Sequence, residues 1–203
     1  MIHEFQVGGP TMWFLLACIV IAIGFILERI YTLFIKMRLN AKTFVKKLIE
    51  TIDKEGIEAG MELCKRTPSP VTNILIVALE NHKKGREAME DAVLKAGTRE
   101  LAFLDRGMPI LAGITTAAPF FGFLGTVMGM IRAFAAVAAA GEVEPTVVAS
   151  GISEALVTTK WGLIIAAPLS IIYVFLSQKV DAHTRDMETG ATELIDYLVE
   201  RKK

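Results

Sequence analysis

Several threonines lie in or beside long apolar stretches of this 203-residue chain, and the hydroxyl groups of Thr126 and Thr159 are candidates for chemistry at membrane depth. Thr126 lies in the uncharged run 107–131, and Thr159 comes just before the apolar run 161–178. An unsatisfied hydroxyl is costly at membrane depth. Each threonine is therefore expected either to bond to the carbonyl four residues earlier in its own helix or to line a polar path. The residues alone leave both interpretations open.

Two charged residues lie near Thr159. Glu154 is either an ordinary carboxylate at the membrane interface or part of a polar entrance that attracts cations. Lys160 follows Thr159 directly, and a buried lysine is costly enough that it should reach the interface, pair with a carboxylate or face water. No aspartate, glutamate or histidine lies within an apolar run, although a proton path normally needs such a relay at mid-membrane. If the protein moves protons, another chain must supply the carboxylate.

Enzymatic motifs are missing from the sequence. It contains no HExxH, Walker A, GxGxxG or paired CxxC motif. Ser153 faintly resembles the nucleophile of an intramembrane serine protease, but the histidines all lie outside the span interiors and Lys160 is about two helical turns away. We therefore expect no catalytic residue, no metal site and no cofactor.

The helices that must position these threonines each carry a row of small residues on one face. These residues recur every three or four positions: Pro119, Gly122, Thr126, Gly129 and Ala133 in one helix, and Ala155, Thr159, Gly162, Ala166 and Ser170 in the other. Gly125 and Gly129 also form a GxxxG pair. Such faces indicate either close helix packing or the lining of a path. Pro119 and Pro168 each free a backbone carbonyl.

Composition identifies an all-α membrane protein with three transmembrane helices. Hydrophobic residues make up 53% of the chain, and the stretches 5–27, 107–131 and 161–178 carry no charge. Each is long enough to cross the hydrocarbon core of a bilayer. Lysine plus arginine balances aspartate plus glutamate at 22 each, which gives no support to nucleic-acid binding.

The distribution of lysine and arginine predicts an N-out, C-in orientation. Neither residue occurs before Glu28 or between Ala133 and Thr159. The predicted order is an outer N-terminus with transmembrane helix 1 (1–35), a cytoplasmic helical loop (36–106), transmembrane helix 2 (107–140), a short outer loop (141–146), transmembrane helix 3 (147–178) and a cytoplasmic helical tail (179–203).

Apolar periodicity predicts helices over 41–52, 57–66, 71–82 and 86–105 of the loop, with the last running directly into the second span. The third span is expected to continue as a helix into the tail. Glu28 and Arg29 should mark the inner end of the first span and pair with the loop helices.

Two segments of the chain resemble the second- and third-span signatures of the ExbB/TolQ/MotA proton-channel family. They run from Ala118 to Phe134 and from Gly151 to Pro168. Three spans resemble the ExbB and TolQ branches more than the four-span MotA branch. The resemblance implies a stator subunit of an ion-driven motor in the bacterial inner membrane, which energises outer-membrane transport or envelope processes. It also implies a homopentamer around two transmembrane helices of an ExbD/TolR-like single-span partner that supplies the titratable aspartate, with a TonB/TolA-like protein as a further partner.

The resemblance also implies roles for individual residues. Thr126, Thr158 and Thr159 line the ion pathway, Glu154 shapes its outer side, and the small faces leave room for a central helix. Lys160 stands where the family has a small residue and is interpreted as a modulator of the pathway. The helix-packing and kink residues are Pro119, Gly122, Gly125, Gly129, Gly162 and Pro168.

The resemblance leaves the ion and the load of the motor open. The expected ion is a proton, and sodium is the second candidate because hydroxyls coordinate it. A stator of this family could also serve another motor. A structural scaffold that does not conduct is the competing hypothesis from a different functional class, since small helix faces also serve packing alone.

Overall fold

The computed structural model describes residues 2–37, 39–140 and 145–201, and nearly all of them are helical. The α-helices, numbered in chain order, are α1 (Ile2–Val7), α2 (Thr11–Ile30), α3 (Ala41–Glu55), α4 (Ile57–Arg66), α5 (Pro70–Glu80), α6 (Arg86–Leu104), α7 (Met108–Ala140) and α8 (Pro145–Arg201). A π-helix over Tyr31–Lys36 follows α2, and a 3₁₀ turn over His82–Lys84 precedes α6. Most of the predicted outer loop, 141–144, lies outside the described residues.

Three segments are long and apolar enough to span a membrane: Thr11–Phe34, Met108–Ala139 and Pro145–Arg201. The prediction of an all-α protein with three spans is therefore confirmed. The third span also continues as helix to Arg201, as expected from the apolar positions of the tail. The N-out, C-in orientation stays a prediction.

The chain divides into two compact units, and the first comprises Met1–Glu28 and Gly107–Phe175. Its centre is the contact between α7 and α8, which approach through their small residues. A Cβ atom added at Gly162 would lie 2.8 Å from the carbonyl oxygen of Ala118, and one at Gly129 would lie 2.8 Å from that of Gly151. Only glycine allows backbones to approach this closely. At Gly129 and Gly162 the two faces pack against each other within one chain, as the helix-packing interpretation expects. The room for a central helix stays a prediction.

The second unit comprises Arg29–Arg106 and Leu176–Lys203. Its apolar core forms because α3, α5 and the C-terminal part of α8 each present buried leucine or isoleucine side chains: Leu48, Ile52, Leu75, Leu79 and Leu194. Ser69 and Thr72 form a reciprocal capping box that begins α5, with Pro70 at its first position. The predicted loop helices are present, with ends within a few residues of those expected from periodicity.

One junction differs from the prediction that the last loop helix runs directly into the second span. α6 ends at Leu104, and Gly107 has a φ of +81° before α7 begins. This left-handed conformation ends a helix and favours glycine. Nη1 of the fully buried Arg29 donates to the carbonyl oxygens of Leu104 and Phe103 at 2.9 and 3.2 Å. These bonds confirm that Arg29 pairs with a loop helix, and the bond to Leu104 satisfies a carbonyl at the end of α6.

Candidate functional site

Thr126 of α7 and Thr159 of α8 face each other, and their hydroxyl groups are hydrogen-bonded. Each hydroxyl also reaches a carbonyl of the opposite helix. Thr126 Oγ1 lies 3.2 Å from the oxygen of Ala155, and Thr159 Oγ1 lies 3.1 Å from that of Gly122. Thr126 has a further, longer contact of 3.4 Å with Gly122 in its own helix. Most of these contacts cross between α7 and α8, so the bond back to the same helix is a minor part of the arrangement.

The position of this threonine pair allows its hydroxyls to relay a proton or to bind a cation. Both residues are half-buried in the single chain, at the edge of the α7–α8 contact. A hydroxyl offers one hydrogen and two acceptor positions, so the direction of the bond between them can reverse without moving either helix. The pair can therefore accept or pass on a proton, or offer oxygen ligands to a cation, on its exposed side.

Thr158 occupies a different environment from Thr126 and Thr159. Its side chain is fully buried, and Oγ1 donates to carbonyls of its own helix, 2.9 Å from Ala155 and 3.2 Å from Glu154. A Cβ at Gly125 would overlap this hydroxyl. The packing of α7 against α8 thus uses Thr158, and we leave it out of the pathway proposed below.

Glu154 is part of an ion pair near the predicted outer side of the threonine pair. Its Oε1 lies 2.5 Å from Nη1 of Arg132 of α7, and the Glu154 side chain is only 16% exposed. Gly9 lies against the same carboxylate with a φ of +64°, and a Cβ there would overlap Oε1. Neither Arg132 nor Gly9 was singled out from the sequence. Arg132 carries a signal, because it is the first charge after the second apolar run.

Lys160 pairs with Glu4, a residue of the short N-terminal helix α1. The indole nitrogen of Trp161 donates to the other oxygen of the same carboxylate at 3.2 Å. The hydrogen bond from the Lys160 ammonium, opposed by desolvation, lowers the pKa of the Glu4 carboxyl. Of the three outcomes expected for Lys160, the structure contains the pairing with a carboxylate. Glu4 was missed because it lies 156 residues away in the chain.

The remaining predicted residues occupy the helices as follows. Gly122, Gly129 and Gly162 lie where α7 and α8 touch, and Gly125 lies against Thr158. Pro119 and Pro168 lie inside α7 and α8, and both helices continue through them. Within the described residues, no group of three or more histidine, cysteine, aspartate or glutamate side chains is arranged to hold a metal ion.

Comparison with known proteins gives one family and several relatives. The model of the MotA/TolQ/ExbB proton channel family matches residues 50–189. An ExbB homolog from Methanothermobacter thermautotrophicus is 30% identical over 182 residues, which cover 89% of this chain and 64% of that protein. Biopolymer transport protein ExbB of Neisseria gonorrhoeae is 29% identical over 164 residues, 74% of each chain. The Tol-Pal system protein TolQ of Haemophilus influenzae is 38% identical over 91 residues, 45% of this chain and 40% of that protein.

A solved structure of C. jejuni MotAB has the same fold. The TM-score is 0.68 over 98% of this chain and 78% of the other, with 16% sequence identity. At this identity the likeness concerns the fold alone. Together with the helices described above, it establishes a helical membrane architecture shared with that protein.

Proposed function

Since the chain belongs to the MotA/TolQ/ExbB proton channel family, we propose that it is a stator subunit that conducts protons together with an ExbD/TolR-like single-span partner. The family is one of channels rather than enzymes, and the chain is a channel-type subunit of the inner membrane. In the proposed motor, protons moving down their gradient drive outer-membrane transport or another envelope process. No cofactor is needed, because the proton is the transported species.

The observation that carries this proposal is the hydrogen-bonded pair Thr126–Thr159. Both residues are half-buried, and their hydroxyls can exchange donor and acceptor roles, as a proton path requires. The apolar runs contain no titratable carboxylate or imidazole of their own. A partner helix carrying an aspartate opposite the threonine pair would supply the missing relay. If the partner supplies the carboxylate and this chain supplies the hydroxyls, the chain needs no carboxylate of its own within the membrane.

The proposed assembly is a ring of five copies around two partner helices, with a TonB/TolA-like protein as a further partner. The threonine pair is only half-buried in the single chain, so one copy does not enclose a path. Large apolar side chains on α7 and α8 are also exposed in the single chain, including Phe120, Phe123, Phe134, Leu156 and Ile171. Neighbouring copies, partner helices and lipid tails are the surfaces that can cover them.

The test replaces the hydroxyl of Thr159 and preserves its shape. Thr159→Val is expected to reduce proton flux at least about tenfold in vesicles that contain the chain and its co-expressed partner, because a relay without its hydroxyl is broken. Thr116→Val is the matched control. Thr116 is exposed on α7, and its hydroxyl donates only to the carbonyl of Ala112 in its own helix, at 3.0 Å.

Three outcomes separate a proton channel from a scaffold and from a sodium-driven stator. Loss of flux in Thr159→Val with normal assembly and a normal Thr116→Val control supports conduction through the threonine pair. Equal flux in all three proteins contradicts it, and a protein that assembles but conducts no ion is a structural scaffold. A flux that requires sodium and is independent of the proton gradient would identify a sodium-driven stator.

A further inference from the structure

Every lysine and arginine of the first unit is matched by a carboxylate. The segments 1–28 and 107–175 contain two such residues, Arg132 and Lys160. Arg132 is paired with Glu154 and Lys160 with Glu4. Arg132, Glu154 and Lys160 each lie within about two helical turns of Thr126 or Thr159 in sequence. The surroundings of the hydroxyls are therefore close to neutral in charge, although two cations stand near them.

Lys160 is the cation closest in sequence to the proposed path, because it follows Thr159 directly. Its side chain is 46% exposed and that of Glu4 is 36% exposed, so the pair lies at the surface of the single chain. Trp161 holds the carboxylate through its indole nitrogen, and its ring centroid lies 5.8 Å from the Lys160 ammonium. Glu4 thus has two donors from α8, which fix where its negative charge is placed.

The helix that carries Glu4 is itself anchored on α2 and α8. Phe5 packs edge-on against Trp13, with ring centroids 5.1 Å apart. An apolar cleft of about 190 Å³ is lined by Phe5 together with residues of α2 and α8, including Met12, Leu15, Trp161 and Ile165. The turn at Gly8 and Gly9 connects α1 to α2, and Thr11 Oγ1 donates to the carbonyl of Gly8 at 3.2 Å. These contacts hold α1 where Glu4 reaches Lys160.

We propose that α1 is a strap which neutralises Lys160, and that Glu4 is the positioning residue which allows a cation to approach the hydroxyls of Thr126 and Thr159. The proposal rests on the conduction proposed above. Without Glu4, the Lys160 ammonium would stand uncompensated beside Thr159. A positive charge on the residue next to Thr159, in surroundings less polar than water, disfavours an incoming cation. The strap therefore explains how a lysine can directly follow Thr159 without opposing the approach of a cation.

The test is a charge-rescue series in the complex of the chain with its co-expressed single-span partner, reconstituted in vesicles of phosphatidylethanolamine and phosphatidylglycerol. Proton flux is driven by a potassium diffusion potential and followed with a trapped pH-sensitive dye. Glu4→Gln is expected to lower the flux roughly fivefold to tenfold. The double variant Glu4→Gln/Lys160→Gln should recover to within about twofold of the wild type, because both charges are gone. Asp91→Asn, which breaks an exposed ion pair with Lys95 on α6, is the matched control.

The outcomes distinguish this inference from the proposed function. If Thr159→Val lowers the flux but Glu4→Gln does not, the strap is refuted and conduction stands. If the double variant stays as low as Glu4→Gln, the loss is structural and the strap is likewise refuted. If Thr159→Val has no effect, conduction through the threonines fails.

A second measurement does not depend on flux. An amine-reactive reagent should label Lys160 several-fold faster in Glu4→Gln than in the wild type, as read by mass spectrometry. Equal labelling rates in the two proteins would show that Glu4 does not hold the lysine, and would overturn the proposal.

Discussion

The ion pair between Glu4 and Lys160 makes the contact of α1 with α8 dependent on pH. The Glu4 carboxylate has a depressed pKa, because it accepts bonds from Lys160 and Trp161. A carboxyl whose pKa is lower in the folded state stabilises the fold above its unfolded pKa, and this contribution is lost as the pH falls through the depressed value. The contact of α1 with α8 should therefore persist at neutral pH and break only below the usual carboxyl range.

This pH dependence can be followed through Trp161. In a Trp13→Phe background, which leaves Trp161 as the one remaining tryptophan, acidification should shift the fluorescence of Trp161 in a single transition below the usual carboxyl range. The Glu4→Gln variant should show no such transition. The Glu154→Gln variant is the control for the other carboxylate near this part of α8, and it should retain the transition. A transition that survives Glu4→Gln would contradict the assignment.

At the residue scale, the sequence singles out candidate polar side chains but does not show which residues they contact. Thr126, Thr159, Glu154 and Lys160 were identifiable because polar residues in or beside apolar runs are rare. Their partners were not identifiable, because Glu4 and Lys160 are 156 residues apart and no local spacing relates them. The contrast between half-buried Thr159 and fully buried Thr158 also depends on how α7 and α8 cross, which adjacent residues in one helix do not reveal.

At the scale of elements, the α7–α8 contact rests on glycine. A Cβ at Gly129 would lie 2.8 Å from the carbonyl oxygen of Gly151 and 3.0 Å from the amide nitrogen of Ala155. Both atoms belong to the backbone, so the helices must separate to admit a methyl group. Gly129→Ala should therefore destabilise the protein by about 1–3 kcal/mol, and lower the midpoint of thermal unfolding measured by circular dichroism in detergent.

Gly113→Ala is a matched control for this substitution. Gly113 lies in the same helix, and a Cβ there would have no atom within 4 Å. Alanine is the better helix former, so this variant should be as stable as the wild type or slightly more stable. Equal destabilisation by both substitutions would show that the effect comes from helix propensity or backbone freedom and not from the α7–α8 contact.

The positions of the loop helices follow from the local sequence pattern, but the end of α6 depends on a contact with a residue distant in the chain. The loop helices were predictable because apolar residues recur every three or four positions, and Ser69 ahead of Pro70 marks the start of α5. The break between α6 and α7 was not predictable. It depends on the left-handed Gly107 and on Arg29, which reaches the end of α6 from about 75 residues earlier in the chain. A long apolar helix and a helix that ends just before a span look the same in a hydropathy profile.

At the scale of the whole molecule, the three spans could be read from the sequence because membrane depth sets a minimum length of apolar helix. The apolar length of a helix does not predict which helix packs against each of its faces. A row of small residues predicts a close approach, but it does not say whether the neighbour is another helix of the same chain or a partner's helix. In this chain, Gly122, Gly125 and Gly129 of α7 lie against α8, and the two threonines beside them stay half-buried.

The orientation of the spans is the last whole-molecule property to test. Lysine and arginine are concentrated between the first and second spans and after the third, which predicts that α4 lies in the cytoplasm and the start of α8 lies outside. Exposed Glu58 of α4 and exposed Ser150 of α8 are suitable sites for reporter cysteines. The natural Cys18 and Cys64 are buried, and burial raises the pKa of the Cys64 thiol to about 12, so both react slowly. Replacing both by alanine leaves a protein in which the reporter cysteine is the one thiol that can be labelled.

A membrane-impermeant maleimide applied to intact spheroplasts should label Ser150→Cys and leave Glu58→Cys unlabelled until the membrane is permeabilised. The reverse pattern would invert the orientation, and labelling of both from outside would contradict a single span between the two sites. The result also bears on the strap. With the N-terminus outside, Glu4 would meet Lys160 on the side from which protons enter in the proposed mechanism, so α1 would stand at the entrance to the proposed path and not at its exit. An inverted chain would place the same ion pair where protons leave, and it would then affect release instead of entry.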